Sequence, residues 1–382
     1  MSLRILRGIL FIFSALIINY DSTSYGQGDI NNPIDPNDTE TIKAVDFYRN
    51  YLAEFRIQKA SLPDFTKYWS ADDCKRYLVP DPELFGVDAT IPTYLLGTPR
   101  ILYARPAGNI VHIKTMFSRN DSNGRPLVIS ITNHYVMLKD HIPAYFINPT
   151  LVNSNQWTFK RIRNITYYYP SSHHFDRKKA LSMAKKVIAL EREWEISPVD
   201  IHYYFADTRE EIEHFRGFDF TISMGNRDKP SGMSDGANNI VYCGGWGENY
   251  FHEVVHLYLN KYFPQSPLTE GLAVFYGGSM GHELPWHVKR LYEYLQSHRE
   301  IKLYSLDDLV YLDNFTNPKS TILGLLCDKA YNAGRLDALK RSLNYVSLSA
   351  LLQQEYKVEA DDFDTFIRDL VARYALAHNG NE

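Results

Sequence analysis

Between residues 101 and 138 three apolar-rich runs show a period near two, and this stretch constrains the fold more than any other. Residues 101–105, 109–118 and 127–138 read as strands, because a period of two sends alternate side chains to opposite faces of a sheet. Asn123-Gly124 lies between the last two, where a hairpin turn needs residues that tolerate positive φ. Further strands are expected at 144–147 and 157–168. Ahead of them Val45, Tyr48, Leu52 and Phe55 recur at three and four residues, which predicts a helix from about Thr39 to Phe55. A shorter helix is expected after Ser70, a candidate N-cap.

Past Tyr169-Pro170-Ser171-Ser172 the pattern changes. Residues 177–194 read as a helix, 200–206 as a strand and 208–215 as a short helix. Strands at 218–223 and 239–243 flank a loop, 225–236, rich in Gly, Asn and Asp. From Asn249 on the chain reads as nearly all helical. At 382 residues the chain is too long for one ordinary domain. The expected class is α+β, with an accessory module over 39–168 and a second domain over 169–382. In topology the first module resembles the cone-shaped, nuclear-transport-factor-like (SnoaL-like) accessory domains. That resemblance implies a role in positioning substrate or attaching to a partner, whose identity the sequence does not give.

Residues 1–26 read as an address. Arg4 and Arg7 precede a short apolar run, 9–18, and Ser24-Tyr25-Gly26 offers a small-x-small cleavage pattern. The run is too short for a mature spanning helix, which needs about 20 residues, and no later run reaches that length. The mature chain is therefore expected to be exported, periplasmic or extracellular, behind a flexible leader over 27–38. Asn37, Asn120, Asn164 and Asn314 stand in glycosylation sequons. A net charge of −4 without a basic stripe argues against nucleic acid as a partner. Three cysteines cannot build a disulfide framework. The 28 tyrosines fit an aromatic-rich core, or a groove lined by rings with polar tips.

The chemistry concentrates in Phe251-His252-Glu253-Val254-Val255-His256-Leu257. On a helix, residues four apart share a face, so His252 and His256 can aim both imidazoles at one point. Zinc accepts such nitrogens, and Glu253 beside them can take a proton from water. The apolar run as far as Phe263 supplies the helix. Glu270 follows His256 at thirteen residues, in Pro267-Leu268-Thr269-Glu270-Gly271-Leu272-Ala273-Val274-Phe275-Tyr276. The first helix runs on for roughly 9 Å beyond His256 at 1.5 Å per residue. Pro264 stops it, and Ser266-Pro267 restarts a helix that returns Glu270 to the level of the histidines. Two His and one Glu leave a fourth zinc position open, the catalytic arrangement.

This pairing of HEVVH with P-L-T-E-G-L-A-V-F-Y resembles the gluzincin metallopeptidases of the peptidase MA-like clan, over about residues 201–276. The resemblance implies one zinc ion held by His252, His256 and Glu270, with Glu253 as general base. It also implies an edge strand just before the zinc helix that pairs with extended substrate backbone. That role is expected of Ile240, Val241, Tyr242 and Cys243. The histidines of His282-Glu283-Leu284-Pro285-Trp286-His287 are five apart with a proline between them and should not share a helix face. His173-His174 reads as a solvated pair. Tyr276, His282, Tyr304 and Tyr331 are candidates for stabilising an oxyanion.

The function expected from these residues is an exported zinc metallopeptidase acting on a peptide or protein. The alternatives are a non-catalytic binding protein on a retained gluzincin scaffold, and a zinc amidohydrolase acting on a non-peptide amide.

Overall fold

A computed structural model describes residues 30–57, 62–87, 91–225, 229–303, 306, 309, 312 and 315–378. The expected signal peptide, the first residues of the leader, Tyr304 and the Asn314 sequon lie outside the described residues. The fold is α+β, with two five-stranded sheets. The chain divides into two compact units, residues 1–157 with 210–228, and residues 158–209 with 229–382.

In the first unit β1 (Thr98–Ala107), β2 (Ile110–Asn120), β3 (Pro126–Lys139) and β4 (Ile142–Ile147) form an antiparallel meander. β3 is long enough to pair with β4 near its end and, through residues 130–132, with β8 (Phe218–Thr221). The Thr39–Ile57 helix buries Ala44, Val45, Tyr48, Tyr51, Leu52 and Phe55 against Ile113, Phe117, Val136 and Phe146 of the sheet. Ser70 caps the Ala71–Arg76 helix by accepting from the Asp73 N–H at 3.0 Å. Part of the leader is ordered: the Asn31 N–H donates to the Ile101 carbonyl at 2.8 Å.

Strands β5 (Trp157–Ile162) and β6 (Ile165–Pro170) correct the sequence reading. They form two strands rather than one, because Arg163 turns the chain at φ 56°. They also belong to the second sheet, ordered β5-β6-β7-β10-β9. β7 is Ile201–Ala206, β9 Ser231–Asp235 and β10 Ile240–Gly244. β6, β7 and β10 run parallel, and β9 pairs antiparallel with β10. One sheet face, with Ile165, Tyr167, Ile201, Tyr203, Phe205 and Val241, is buried in a core shared with the Arg177–Trp194 and Phe251–Leu259 helices. The helices Thr269–Gly277, Leu284–Ser297, Pro318–Leu343, Leu348–Tyr356 and Phe363–Ala377 follow, with a break at Gly334-Arg335. No helix among the described residues is long and apolar enough to cross a membrane.

The first unit encloses a fully buried polar cluster. Tyr51 and Tyr94 donate to Asp81 at 2.8 and 2.7 Å, and the His134 ring lies between Asp81 and Glu83. Burial raises the Asp81 carboxyl, but bonds from His134, Tyr94 and Tyr51 outweigh it and hold the group below its ordinary value. Burial and the Asp81 charge push Glu83 well above its own. The signs are opposite. The stability held by Asp81 is present above the unfolded pKa and lost as pH falls through the folded one. The stability held by Glu83 is complete below its unfolded pKa and lost as pH rises toward the folded one. Glu83→Gln is expected to flatten the decline in denaturant midpoint as pH rises above the ordinary carboxylate range. An equal decline in the variant would remove Glu83 as its source.

Candidate metal centre

The Phe251–Leu259 helix presents His252 and His256 on one face, with their Nε2 atoms 3.2 Å apart. The other nitrogen of each ring is engaged. His252 Nδ1–H donates to the Gly278 carbonyl at 2.7 Å, and His256 Nδ1–H to Asn260 Oδ1 at 3.2 Å. Those bonds leave the Nε2 lone pairs converging, the tautomer that metal ligation needs. Gly278 reaches its position at φ 70°, where a Cβ would run into the His282 carbonyl.

The Thr269–Gly277 helix brings Glu270 back as its spacing anticipated. Ser266 differs in detail, since the helix begins at Thr269 and the Ser266 hydroxyl accepts from the Leu268 N–H at 3.2 Å. Glu270 Oε1 lies 3.4 Å from His252 Nε2, and Oε2 lies 3.2 Å from His256 Nε2. Ligand atoms about 2.0–2.1 Å from one tetrahedral ion stand roughly 3.3–3.4 Å from each other. The two imidazole nitrogens and the Glu270 carboxylate, which turns one oxygen to each of them, therefore stand at contacts close to those of a zinc ligand set. Burial pushes the Glu270 carboxyl up, and hydrogen bonds from both histidines, which donate when their Nε2 atoms are protonated, more than reverse it and hold it far below the ordinary carboxylate range. Its side chain is 48% exposed while that of His252 is only 5% exposed, so the triad is reached from the Glu270 side.

Glu253 is buried beside the triad. Burial raises its pKa, and the two imidazoles and a hydrogen bond from Ser234 partly offset the rise. Gly232 makes room for it: a Cβ there would lie 2.6 Å from Glu253 Oε1 and 2.5 Å from the Tyr250 ring. Tyr250 stacks between Trp246 and His252, with centroids 5.3 and 5.6 Å away. A cavity of about 520 Å³ opens over the triad and Glu253, bordered by residues 231–234 of β9.

That border corrects the assignment of the edge strand. Ile240, Val241, Tyr242 and Cys243 lie in β10, which is hydrogen-bonded to β7 on one side and β9 on the other, and all four are buried. The outer strand is β9, within the segment expected to be a loop. Sequence reasoning missed it because Ser231-Gly232-Met233-Ser234-Asp235 carries no β-branched or aromatic residue. The available signal was the turn that follows. There Asp235 Oδ1 accepts from the N–H groups of Ala237 and Asn238 at 3.1 and 3.2 Å, and Asn239 takes φ 55°.

Other candidates take structural roles. The Tyr276 and Tyr331 hydroxyls both donate to Glu193, and Tyr276 also accepts from Trp194 Nε1 at 2.9 Å. His282 stacks on Trp286 ahead of the Leu284–Ser297 helix, and His287 bonds to Ser279 and Thr316. His173 is not a solvated residue: it bridges Asp207 at 2.6 Å and the buried Glu248 at 3.0 Å. Asn164 directs its amide to Val199 and Tyr258 at 2.8 and 3.1 Å, which ties down that sequon. The Asp81–Glu83–His134 cluster is also rich in ligand atoms. Its histidine, however, turns Nδ1 to Glu83 and Nε2 to Asp81 and Tyr94, and one ion cannot take both nitrogens of one ring.

No protein-family model matches the chain, and no curated protein matches it in sequence.

Proposed function

We propose that the protein is an exported, zinc-dependent peptidase. One observation carries the reading: two imidazole nitrogens and the Glu270 carboxylate converge on one point with a buried carboxylate beside them. His252, His256 and Glu270 would hold the ion. When bound, zinc supplies Lewis acidity toward a carbonyl and makes water acidic enough to attack at neutral pH. Glu253 accepts the proton of the attacking water and returns it to the leaving amine nitrogen. Its raised pKa suits that exchange. β9 offers its outer edge to an extended substrate backbone, in place of β10.

A second reading, a binding protein on an idle site, draws on the engagement of the Tyr276 and Tyr331 hydroxyls by Glu193, which removes two candidate oxyanion donors. Metal analysis and a peptide library separate the readings. The purified chain should carry about one zinc, lost in His252→Ala and in Glu270→Ala. Normal zinc in Glu270→Ala sinks the third ligand. A zinc-loaded chain that cleaves nothing leaves the binding reading standing.

A further inference from the structure

A short strap, Gly278–His282, follows the helix that carries Glu270 and reaches the helix that carries the two histidines. The Gly278 N–H donates to the Val274 carbonyl at 2.9 Å and closes the Thr269–Gly277 helix, while the Gly278 carbonyl takes His252 Nδ1–H. Ser279 and His282 then exchange two backbone hydrogen bonds, of 2.8 and 2.9 Å, around Met280 at φ 49° and Gly281 at φ 79°. Two successive residues of positive φ make this a tight hairpin turn. Met280 adopts that conformation at a cost glycine would not bear, so the turn needs support from outside itself. The two hairpin bonds lie within the strap and move with it. A third bond ties it to another helix: His287, buried on the Leu284–Ser297 helix, places Nε2 2.8 Å from the Ser279 carbonyl. Its Nδ1 lies 3.2 Å from Thr316 Oγ1. Burial lowers the His287 pKa and keeps the ring neutral. A carbonyl can only accept, so the one ring proton sits on Nε2 and Nδ1 accepts from the Thr316 hydroxyl.

We propose that His287 is a positioning residue for the metal centre: its Nε2–H fixes the Ser279 carbonyl, and thereby the neighbouring peptide that presents the Gly278 carbonyl to His252. The proposal rests on the zinc reading above. Consecutive peptide planes are joined through one Cα and turn about only two dihedrals, so holding the Ser279 carbonyl restricts the plane before it. The Gly278 carbonyl in turn sets the ring orientation and tautomer of His252, and a partner of that kind governs how well an imidazole ligates a metal. The second motif-like stretch, residues 282–287, thus serves the first one without lending it a ligand. His282 supplies the backbone bonds that close the turn, and His287 anchors the turn from the helix. Ser279 and Met280 also border the cavity over the triad, so the same strap shapes the space that a substrate would enter.

The test uses the full chain and two readouts that need no turnover. One is zinc affinity, by competition with a chelator. The other is the visible absorption spectrum of the cobalt(II)-loaded chain, which reports ligand geometry. His287→Gln carries an amide N–H to about the place of Nε2, His287→Asn stops short near Nδ1, and His287→Phe keeps a ring while removing both bonds. His287→Gln is expected to bind zinc as the wild type does and to keep the cobalt spectrum. His287→Asn and His287→Phe should weaken zinc about tenfold, the low end for disturbing what supports a ligating histidine, and should shift the cobalt bands. Chemical denaturation of the metal-free variants separates positioning from packing. Variants that lose stability but keep both zinc affinity and the cobalt spectrum overturn the proposal and leave the zinc reading intact. A His287→Gln chain that loses as much affinity as His287→Asn overturns it as well. If His287→Phe does not fold, the Gln and Asn variants decide, since they differ by one methylene. A wild-type chain that takes up neither ion overturns the metal centre itself, and the proposal with it.

Discussion

Glu253→Gln is expected to bind zinc as the wild type does while kcat falls about 10²- to 10⁴-fold, the usual contribution of a positioned general base. Glutamine keeps the shape of the side chain and an oxygen able to accept from Ser234, so the space made by Gly232 stays filled. What it loses is the capacity to take a proton. The ligand atoms belong to other residues, and the Nδ1 bonds of the two histidines, to Gly278 and Asn260, do not involve position 253. Zinc stoichiometry and peptide turnover measured on one preparation separate the possible roles. If Glu253 only balances the charge of the imidazoles, the variant loses metal affinity together with activity. If it keeps its zinc and its rate to within about tenfold, Glu253 is not the base.

The convergence of His252, His256 and Glu270 was legible in the sequence because each part of it is a local pattern. Residues four apart on a helix share a face whatever else the chain does, and Pro264 with Ser266-Pro267 marks a turn between two helices. Long-range pairing leaves no such mark. Phe218–Thr221 reads as a strand, but nothing in those four residues says that they join Ser130–Thr132 of β3, roughly ninety positions earlier. The same limit hid the unit boundary. Residues 157–168 carry strand character, and their assignment depends on β6 pairing with β7 rather than with the preceding meander. The tyrosines divide along the same line. Tyr48, Tyr51, Tyr167, Tyr203 and Tyr258 are fully buried, and the sequence could not name the partners of their hydroxyls. Tyr203, for example, donates to the Gly247 carbonyl at 2.9 Å, in the turn just before the histidine helix. Of the tyrosines near the motif in sequence, Tyr250 is the one whose ring lies against His252.

Gly271→Ala is expected to destabilise the chain by about 3 kcal/mol, against the usual sign for such a change. Within a helix, alanine in place of glycine ordinarily stabilises by about 1 kcal/mol. Here the missing Cβ is what lets the Thr269–Gly277 helix lie against the backbone of the Pro318–Leu343 helix: a methyl group would stand 2.5 Å from the Leu323 carbonyl oxygen. A helix backbone cannot yield as the tip of a flexible side chain can, so the shorter helix must move. Gly277 makes the matching approach on the other side, where a Cβ would lie 2.6 Å from the His252 nitrogen and 2.7 Å from its Cα. The two glycines clamp one helix between two others, and Glu270 rides on that helix beside Gly271. Any shift that relieves the clash also moves Glu270 from its 3.2–3.4 Å contacts with the histidine nitrogens. Zinc affinity should therefore fall at least about tenfold along with stability, as when the support of a metal ligand is disturbed. Chemical denaturation of the metal-free chain reads the first effect and competition with a chelator reads the second. A variant that is more stable than the wild type would show that helix propensity outweighs the overlap. One that loses stability but binds zinc unchanged would show that the placement of Glu270 does not depend on this packing.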